Sequence, residues 1–219
     1  MQYLYYKNSG SLNLTLKGDE HRYIFKVRRE REGNIIVLRN LEDSTIYYYK
    51  IVSITKKEAH LILENSKELI VEAKKKLHIG WCIIEPKNIE KVLPTLNEIG
   101  VDSISFIYCK RSQNSFKIDL KRLNKILLNS SQQSGRSKLM RLEILDSLEE
   151  FKKLYPNAKM LNFSKNRVDN SEIDNIVIGC EGGFTDSEIK LFNSVVGFNT
   201  PLILKSESAV VAVASKVLI

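Results

Sequence analysis

Apolar and polar positions form two different patterns along the chain. In the N-terminal part, runs rich in β-branched and aromatic residues occur at 34–39, 45–52 and 60–64, and turn-forming residues separate them. Short runs of this composition, bounded by Gly, Asn, Asp and Ser, are typical of β-strands. The pattern therefore predicts a small β-barrel or compact sheet at the start of the chain.

From residue 77 onward, strand-like apolar runs alternate with runs of helical period. Strands are predicted at 77–84, 101–109, 159–163, 175–179 and 202–204, and helices at 86–99, 119–133 and 206–218. Alternation of this kind is typical of a mostly parallel sheet covered by helices. The predicted fold class is therefore α/β, with a small β domain first and an α/β domain second.

Several residues mark the ends of the predicted helices. Gly100 is expected to end the first helix, and Pro94 is expected to kink it. Asp119 is the expected N-cap of the next helix. Capping boxes, which pair a Ser or Thr with a Glu three residues later, are predicted at 147–150 and 185–188.

The chain is basic, and its excess charge is uneven. Its 219 residues include 34 Lys and Arg against 26 Asp and Glu, a formal net charge of +8. Residues 1–76 hold 15 of these bases and 10 of these acids, a net of +5. The densest cluster contains Arg22, Lys26, Arg28, Arg29 and Arg31. Such a cluster favours a polyanion, because each phosphate contact releases condensed counterions, although a solvated basic face is the other interpretation.

The cysteines suggest an intracellular protein without metal. Cys82, Cys109 and Cys180 are far apart and form no CxxC pair, so we expect free thiols, with neither a disulfide framework nor a zinc site. No apolar run reaches the ~20 residues that a membrane helix needs, and no signal peptide is recognisable. A cytoplasmic protein with no membrane partner is expected.

One glycine-rich segment is a candidate ligand site. Residues 176–185 leave a predicted strand, pass through Gly179, Gly182 and Gly183, and enter a predicted helix. Glycine lets the backbone approach a ligand closely, and open α/β sheets bind ligands at the carboxyl ends of their strands. The GxGxxG spacing of dinucleotide-binding loops is missing, and a simple tight turn is the alternative interpretation.

Other polar segments also stand at predicted strand or helix ends, at 109–112, 131–136 and 202–209. Such segments can converge on a single pocket in one α/β domain. His21, His60 and His78 lie in or beside strand-like runs and are expected to be structural. No GxSxG, HExxH or GxxxxGK[ST] motif occurs, so the common hydrolase and P-loop functions are not supported.

Together, these segments resemble the RsmE family, the 16S ribosomal RNA uridine-N3 methyltransferases of the SPOUT superfamily. Residues 178–184 resemble the family pattern IGPEGGF, and residues 203–209 resemble ILRTETA. Residues 132–136 are similar to EQSxR and 110–112 to ERS, while 27–29 and 33–34 are similar to the family's VLR and glycine turn. The similarities follow the family's order. The departures are Cys180 and Met140 for Pro, Lys205 for Arg, Gln132 and Lys110 for Glu, and 199–200 for the usual LG.

The resemblance implies a two-domain enzyme. Residues 1–70 would form a PUA-like RNA-binding β-barrel, and residues 71–219 a SPOUT methyltransferase domain with a C-terminal trefoil knot. S-adenosyl-L-methionine would lie in the knot, in a homodimer whose catalytic pocket is at the subunit interface. The implied cofactor-binding residues are Leu161, Phe163, Gly179, Glu181, Gly182, Ile203, Leu204 and Ser206. The implied substrate is a uridine in the decoding region of the small ribosomal subunit.

The chemistry of this reaction suggests roles for polar residues. Methylation at uridine N3 removes a proton from the ring, so a cation or donor beside the base would stabilise the developing charge. Arg111 and Arg136 are predicted to bind RNA phosphate or orient the uracil, and Gln133 to pair with a base edge. No residue stands out as a general base. The basic cluster at 22–31 is predicted to clamp the rRNA backbone.

Two other functions remain open from the sequence. The departures at Cys180 and Lys205 allow a non-catalytic rRNA-binding relative, such as an assembly factor. The generic strand–glycine–helix turn also allows an unrelated α/β enzyme with a small-molecule substrate. That enzyme would not need the basic first domain.

Overall fold

A computed structural model of the chain describes residues 2–168 and 173–219. The chain divides into two compact units, Met1–Glu72 with Ser131–Leu139, and Ala73–Ser130 with Met140–Ile219. The first change of unit lies close to the boundary expected at residue 70. The segment 131–139, which was expected in the second domain, belongs to the first unit.

A five-stranded sheet in the order β1-β3-β4-β5-β2 forms the first unit. Its strands are β1 (Leu4–Tyr5), β2 (Asn13–Lys17), β3 (Ile35–Arg39), β4 (Thr45–Ile54) and β5 (Glu58–Glu68). All neighbours pair antiparallel except β1 and β3, which are parallel. Alternate residues such as Leu14 and Leu16 of β2, or Tyr49 and Ile51 of β4, face the core. The predicted sheet is confirmed, and β1 and β2 are added to it.

A short helical segment joins β2 to β3. Helix α1 (Gly18–His21) continues into a π-helical turn at Arg22–Val27. His21 and Ile24 are buried, whereas the five cations of the basic cluster are all exposed or nearly so. Arg29 has a φ of 59°, the left-handed conformation that commonly ends helices. This helix was not predicted from the sequence, because only a few apolar positions interrupt its charged residues.

The second unit contains a six-stranded sheet in the order β11-β9-β10-β6-β7-β8. The strands are β6 (His78–Cys82), β7 (Ser103–Ile107), β8 (Arg141–Leu145), β9 (Lys159–Leu161), β10 (Asn175–Ile178) and β11 (Val195–Val196). Every neighbouring pair is parallel, which confirms the α/β class. The helices are α2 (Pro86–Ile99), α3 (Leu120–Ser134), α4 (Leu148–Leu154), α5 (Asp186–Ile189) and α6 (Ser206–Leu218).

The helix ends follow the predicted signals, with one correction. Gly100 ends α2 with a φ of 109°, and Asp119 Oδ1 accepts a hydrogen bond from Arg122 N at 3.0 Å. Helix α2 runs through Pro94 as one element. The predicted box at 147–150 is incomplete: Ser147 caps α4, but the Glu150 carboxylate accepts from Asp146 N instead of Ser147 N. The box at 185–188 is complete.

Two further predictions are wrong. Residues 202–204 form no strand; Leu202 and Ile203 are 72% and 80% exposed, because none of the described strands pairs with this short apolar run. Cys82 and Cys109 are not free thiols but form a disulfide, with Cα atoms 5.7 Å apart. The register of β6 and β7 pairs Cys82 with Ile107, which brings Cys109 close, whereas 27 residues separate the cysteines in sequence. Cys180 is a free thiol, as expected, and it is buried.

Residues 2–168 and 173–219 contain neither a membrane-spanning helix nor a cluster of metal ligands. No helix in these ranges has the length and apolar composition needed to cross a bilayer. In the same ranges, no three His, Cys, Asp or Glu side chains come together as metal ligands could.

Candidate functional site

The glycine-rich segment forms a tight turn between β10 and α5. Gly179 follows the last strand residue, and the Gly183 N–H donates to the Cys180 carbonyl at 2.9 Å. Gly183 has a φ of 66°, a conformation that favours glycine. The complete capping box of Thr185 and Glu188 then starts α5. This confirms the strand–turn–helix arrangement predicted for this segment.

Three stretches of the second unit enclose a cavity of about 440 Å³ at the carboxyl ends of β9 and β10. The lining residues come from within 161–167, 178–184 and 198–209. Phe163 and Ile203 contribute apolar surface and are each 80% exposed. The charged lining residues are Arg167, Glu181 and Lys205. A cavity of ~300–1,000 Å³ with mainly apolar walls and few polar groups is typical of small-molecule sites.

A buried serine joins the walls of this cavity. The Ser206 hydroxyl, at the first residue of α6, donates to the Gly179 carbonyl at 2.5 Å and accepts from the Trp81 indole N–H at 2.9 Å. Trp81 is fully buried in β6, and Ser206 is 5% exposed. Ser206 therefore fixes the glycine turn and the start of α6 to the central strand.

Arg111 lies against the outer side of the glycine turn. Its Nη1 donates to the Gly182 carbonyl at 2.7 Å. A Cβ at Gly182 would come 3.3 Å from the Arg111 Cβ, so the close approach depends on glycine. Arg111 belongs to the loop that follows the carboxyl end of β7, where α/β proteins carry functional side chains.

Comparisons with known proteins agree with this architecture. The protein-family model of the RNA methyltransferase domain matches residues 71–218. The family model of the RNA methyltransferase PUA domain matches residues 16–64. Ribosomal RNA small subunit methyltransferase E of Helicobacter pylori (strain 26695) is 40% identical to this chain, with 98% of both chains covered. The chain belongs to the RsmE family of RNA methyltransferases.

Other relatives and solved structures extend this result. The enzyme of the same name from Mesomycoplasma hyopneumoniae is 30% identical, with 85% of this chain and 95% of the relative covered. A structure of ribosomal RNA small subunit methyltransferase E from Neisseria gonorrhoeae, bound to S-adenosyl methionine, is 20% identical with a TM-score of 0.81 over 98% of this chain and 96% of its own. A Legionella pneumophila protein solved with bound cofactor SAM is 22% identical, with a TM-score of 0.82 and coverages of 98% and 95%. These two structures share the fold.

Most residues that the RsmE resemblance assigned to the cofactor meet at one place. Seven of them line the cavity: Leu161, Phe163, Gly179, Glu181, Ile203, Leu204 and Ser206. Gly182 does not line it, and its carbonyl accepts from Arg111 instead. The hydroxyl of Ser206 is used to hold the Gly179 carbonyl, so this residue shapes the cavity as well as lining it.

The other two residues predicted to be catalytic are in the first unit. Gln133 is exposed, whereas Arg136 is buried at 8% exposure. The Arg136 carbonyl accepts from the Tyr3 hydroxyl at 2.8 Å. The Gln132 side chain also accepts from Tyr5 N at 2.8 Å. The N-terminal residues of the chain therefore hold this segment within the first unit.

Several cavity residues on the 162–167 and 198–200 stretches were not predicted from the sequence. Arg167 donates to the carbonyls of Phe198 at 2.8 Å and Ser164 at 3.3 Å, and so joins these two stretches. A Cβ at Gly197 would lie 2.8 Å from Asn162 O and 2.9 Å from both Ser164 N and O. The one available signal was the isolated Gly197 in an apolar run, which often marks a close backbone approach.

The departures from the family pattern fit their surroundings. Cys180 is 6% exposed within the glycine turn, where its Sγ lies 3.8 Å from the Gly183 carbonyl. Met140 is buried at 1% exposure. Lys205 precedes α6 as an exposed residue that lines the cavity. None of these substitutions blocks the cavity.

The basic cluster forms an exposed surface on the helical segment of the first unit. Tyr23 and Val27, at 39% and 63% exposure, lie among the cations of this segment. Aromatic surface next to cations is common where proteins bind nucleic-acid chains, because bases stack on rings while phosphates contact the charges. The cluster and the cavity belong to different units.

Proposed function

We propose that this protein methylates N3 of a uridine in 16S ribosomal RNA of the small subunit, with S-adenosyl-L-methionine as the methyl donor. The observation that carries the proposal is the cavity at the carboxyl ends of β9 and β10. Seven residues that the family resemblance assigned to the cofactor line it. The 40% identity to a ribosomal RNA small subunit methyltransferase E over nearly the whole chain supports the same reaction.

The cavity walls fit an adenosine-containing cofactor. Exposed apolar side chains such as Phe163 and Ile203 offer surface to an apolar ring, and the glycine turn brings main-chain groups to the cavity. When bound, S-adenosylmethionine supplies an electrophilic methyl group. Residues Leu161, Gly179 and Leu204 would hold it, with Ser206 fixing the walls.

In this mechanism Arg111 acts on the RNA side. One guanidinium nitrogen is held by the Gly182 carbonyl, which fixes the group beside the glycine turn. The remaining N–H groups would bind uracil or a neighbouring phosphate and stabilise negative charge on the ring. We propose that Gln133 contacts a base edge, whereas the burial of Arg136 favours a role in holding its segment over direct phosphate contact.

Methyl transfer to isolated small subunits tests the proposed function directly. The protein is expected to bind S-adenosylmethionine and to transfer labelled methyl to 16S rRNA, with 3-methyluridine as the product identified by mass analysis of nucleosides. Absence of cofactor binding at millimolar concentration would disprove the proposal. Binding of cofactor and rRNA without transfer would instead support the non-catalytic assembly factor, which the departures at Cys180 and Lys205 motivate.

RNA binding by the basic cluster has its own test. Replacing Arg28, Arg29 or Arg31 by Gln is expected to lower rRNA affinity about threefold each, and to reduce the salt slope by about one for each phosphate that is no longer neutralised. Lys67→Gln is the matched control, because it removes an exposed cation outside the basic cluster, near the carboxyl end of β5. An equal effect of Lys67→Gln would show that only net charge matters. If the arginine variants change neither the rRNA affinity nor the salt slope, the basic cluster does not contact the rRNA.

Homodimerisation is part of the same proposal. Helices α2 and α6 form a groove whose apolar part is lined by Val92, Val211 and Ala212, with Asn88, Lys91 and Ser208 beside it. In the same groove, a carboxylate oxygen of Glu207 is buried without a hydrogen-bond partner among the described residues. A second copy of the chain would cover this apolar surface. Light scattering is expected to give a dimer for the wild type and a monomer for Ala212→Arg.

We also propose that the chain is knotted around the cavity. The stretch at 195–198 passes against 162–168, with Gly197 N donating to Asn166 O at 2.8 Å and Val168 N donating to Gly197 O at 3.1 Å. Gly197 leaves no room for a side chain at this crossing. Threading of the C-terminal segment is expected to slow refolding from denaturant, and fast single-phase refolding would argue against it.

A further inference from the structure

Glu188 is a buried carboxylate whose two oxygens bind different parts of the chain. It is 1% exposed and lies in α5, directly after the glycine turn. Oε2 accepts from the N–H and from the hydroxyl of Thr185, each at 2.8 Å. Oε1 accepts from the backbone N–H of Lys110 at 2.9 Å, and Lys110 follows β7. The bonds from Thr185 belong to the predicted capping box, whereas the bond from Lys110 comes from a different loop.

These bonds keep the carboxylate ionised. Burial by itself would raise the pKa of Glu188, but the bonds from Thr185 and Lys110 and the charge of Lys110 lower it below its ordinary value. A buried anion of this kind is held firmly, because the two backbone N–H groups and the hydroxyl together compensate its charge. Glu188 therefore forms a strong link between the 110 loop and the start of α5.

The link determines where Arg111 lies. Lys110 and Arg111 are neighbours, so a fixed Lys110 amide fixes the start of the Arg111 side chain. At its other end, Arg111 donates to Gly182 O at 2.7 Å. The Lys110 ammonium adds a bond to Ser187 Oγ at 2.9 Å. Each of these bonds joins the 110–111 loop to the 182–188 stretch, and Glu188 provides the buried one.

We propose that Glu188 is a positioning residue for methyl transfer, which holds Arg111 against the turn that lines the cofactor cavity. Its capping bonds fix the turn, and its bond to Lys110 fixes the arginine, so one carboxylate sets the spacing between the cofactor wall and an RNA-contacting cation. This inference rests on the proposed function, in which Arg111 acts on the uracil or its phosphate.

The test uses Glu188→Gln, with Thr185→Val as the matched control. Gln has a single acceptor oxygen, so its amide nitrogen faces either the Lys110 or the Thr185 N–H, and one bond is broken. Thr185→Val removes the hydroxyl bonds of the cap, to Glu188 Oε2, Glu188 N and Ser187 Oγ, but keeps the backbone bond from Thr185 N and the bond from Lys110 N. At saturating cofactor, Glu188→Gln is expected to lower kcat by about tenfold to a hundredfold, because displacement of a reacting group by about 1 Å has an effect of this size. Thr185→Val is expected to change kcat less than about threefold.

A double-mutant cycle with Arg111→Ala separates positioning from general stability. If Glu188 acts through Arg111, Glu188→Gln causes little further loss of kcat in the Arg111→Ala protein. Equal losses in both backgrounds would overturn the inference, as would an unchanged kcat in Glu188→Gln alone. A wild type without transfer activity would instead contradict the proposed function.

Amide hydrogen exchange gives a readout that does not depend on activity. Peptides covering 108–113 are expected to exchange faster in Glu188→Gln than in the wild type or in Thr185→Val. Unchanged exchange there would contradict the inference even if catalysis fell. If Glu188→Gln does not fold, Glu188→Asp replaces it, because it keeps the charge but is one methylene shorter. It is expected to show a similar loss of kcat and faster exchange at 108–113.

Discussion

Two polar clusters lie on the parallel sheet of the second unit, and they are built in different ways. At the carboxyl ends of β9 and β10, the cavity walls are loops held by bonds to the main chain, such as that of Ser206 with the Gly179 carbonyl. In the amino half of the sheet, side chains bond mainly to one another. His78 Nδ1 lies 3.2 Å from Asn175 Oδ1, and its Nε2 lies 2.7 Å from Ser105 Oγ.

The amino-half cluster contains the residue types of a hydrolase triad but not its arrangement. Ser105 donates its one hydroxyl proton to Glu143 at 2.5 Å, so this proton does not point to His78, whose Nε2 lies 2.7 Å from the Ser105 Oγ. A serine nucleophile needs the reverse, with histidine accepting the serine proton. His78 also packs against the rings of Phe151 and Tyr155, and Ser105 is fully buried. We conclude that this cluster stabilises the sheet, whereas the glycine-shaped loops at the other end form the proposed cofactor site.

The largest effect is expected from Gly197→Ala. The new Cβ would lie within 2.9 Å of three backbone atoms of Asn162 and Ser164, and backbone cannot move aside as a flexible side chain can. Strain of this kind costs about 3 kcal/mol or more of unfolding free energy. Because the displaced residues line the cavity, S-adenosylmethionine affinity should also fall at least tenfold. Urea unfolding and calorimetric titration measure the two effects.

Gly33→Asn is the control for this substitution. Gly33 has a φ of 84° with no atom near its Cβ position, and Asn tolerates the left-handed region better than other residues. Its cofactor affinity should equal that of the wild type. Retained affinity in Gly197→Ala would break the comparison, since the cavity walls would then not depend on that close approach.

A smaller effect is expected from Ser206→Ala. Loss of the hydroxyl leaves the buried Trp81 N–H and the Gly179 carbonyl without their partner, which costs about 2–3 kcal/mol. We expect cofactor affinity to fall several-fold, because the glycine turn is released. Ser208→Ala, at an exposed position in the same turn of α6, should change neither quantity. Equal behaviour of the two variants would contradict the role given to Ser206.

Ser105→Ala sharpens the comparison from the other side. It leaves the buried His78 Nε2 without its hydrogen-bond partner, with an expected loss of about 1–2 kcal/mol in unfolding free energy. Cofactor affinity should stay within about twofold of the wild type. The variant is expected to remain mostly folded, and apparent affinity falls only with the folded fraction. A clear loss of affinity would show that the two ends of the sheet are coupled.

Local patterns predicted the elements whose residues act over short sequence distances. The strands at 78–82 and 175–178, the helix at 206–218 and the capping box at 185–188 each depend on neighbours along the chain. The segment at 202–204 shows the limit of such patterns. Its apolar residues have the composition of a buried strand, yet they form a cavity wall, because strand formation requires a partner that the sequence does not identify.

Contacts between residues that are far apart in the sequence could not be predicted from local patterns. The Cys82–Cys109 disulfide, the bond from Lys110 N to Glu188 and the crossing at Gly197 all join residues that the sheet register brings together. The family resemblance did predict seven of the residues that line the cavity, because the family pattern already reflects which segments the fold brings together. It placed Gln133 and Arg136 in the second domain, whereas they fold with the first unit.

The smallest effect is a pH dependence carried by His78. Burial, the largest cause, lowers the pKa of this imidazole below its ordinary value of 6.5. Below that value the unfolded chain binds a proton that the folded protein resists, so stability should fall as pH drops from about 7.5 to about 5.5. Glu188, whose pKa is lowered from 4.5, contributes stability that is lost only at more acidic pH, outside this window. Urea midpoints at the two pH values should therefore differ less in His78→Gln than in the wild type or in His60→Gln, which removes an exposed imidazole. If the difference is the same in His78→Gln as in the wild type, His78 does not cause the pH dependence. The contrast between the two ends of the sheet would then weaken.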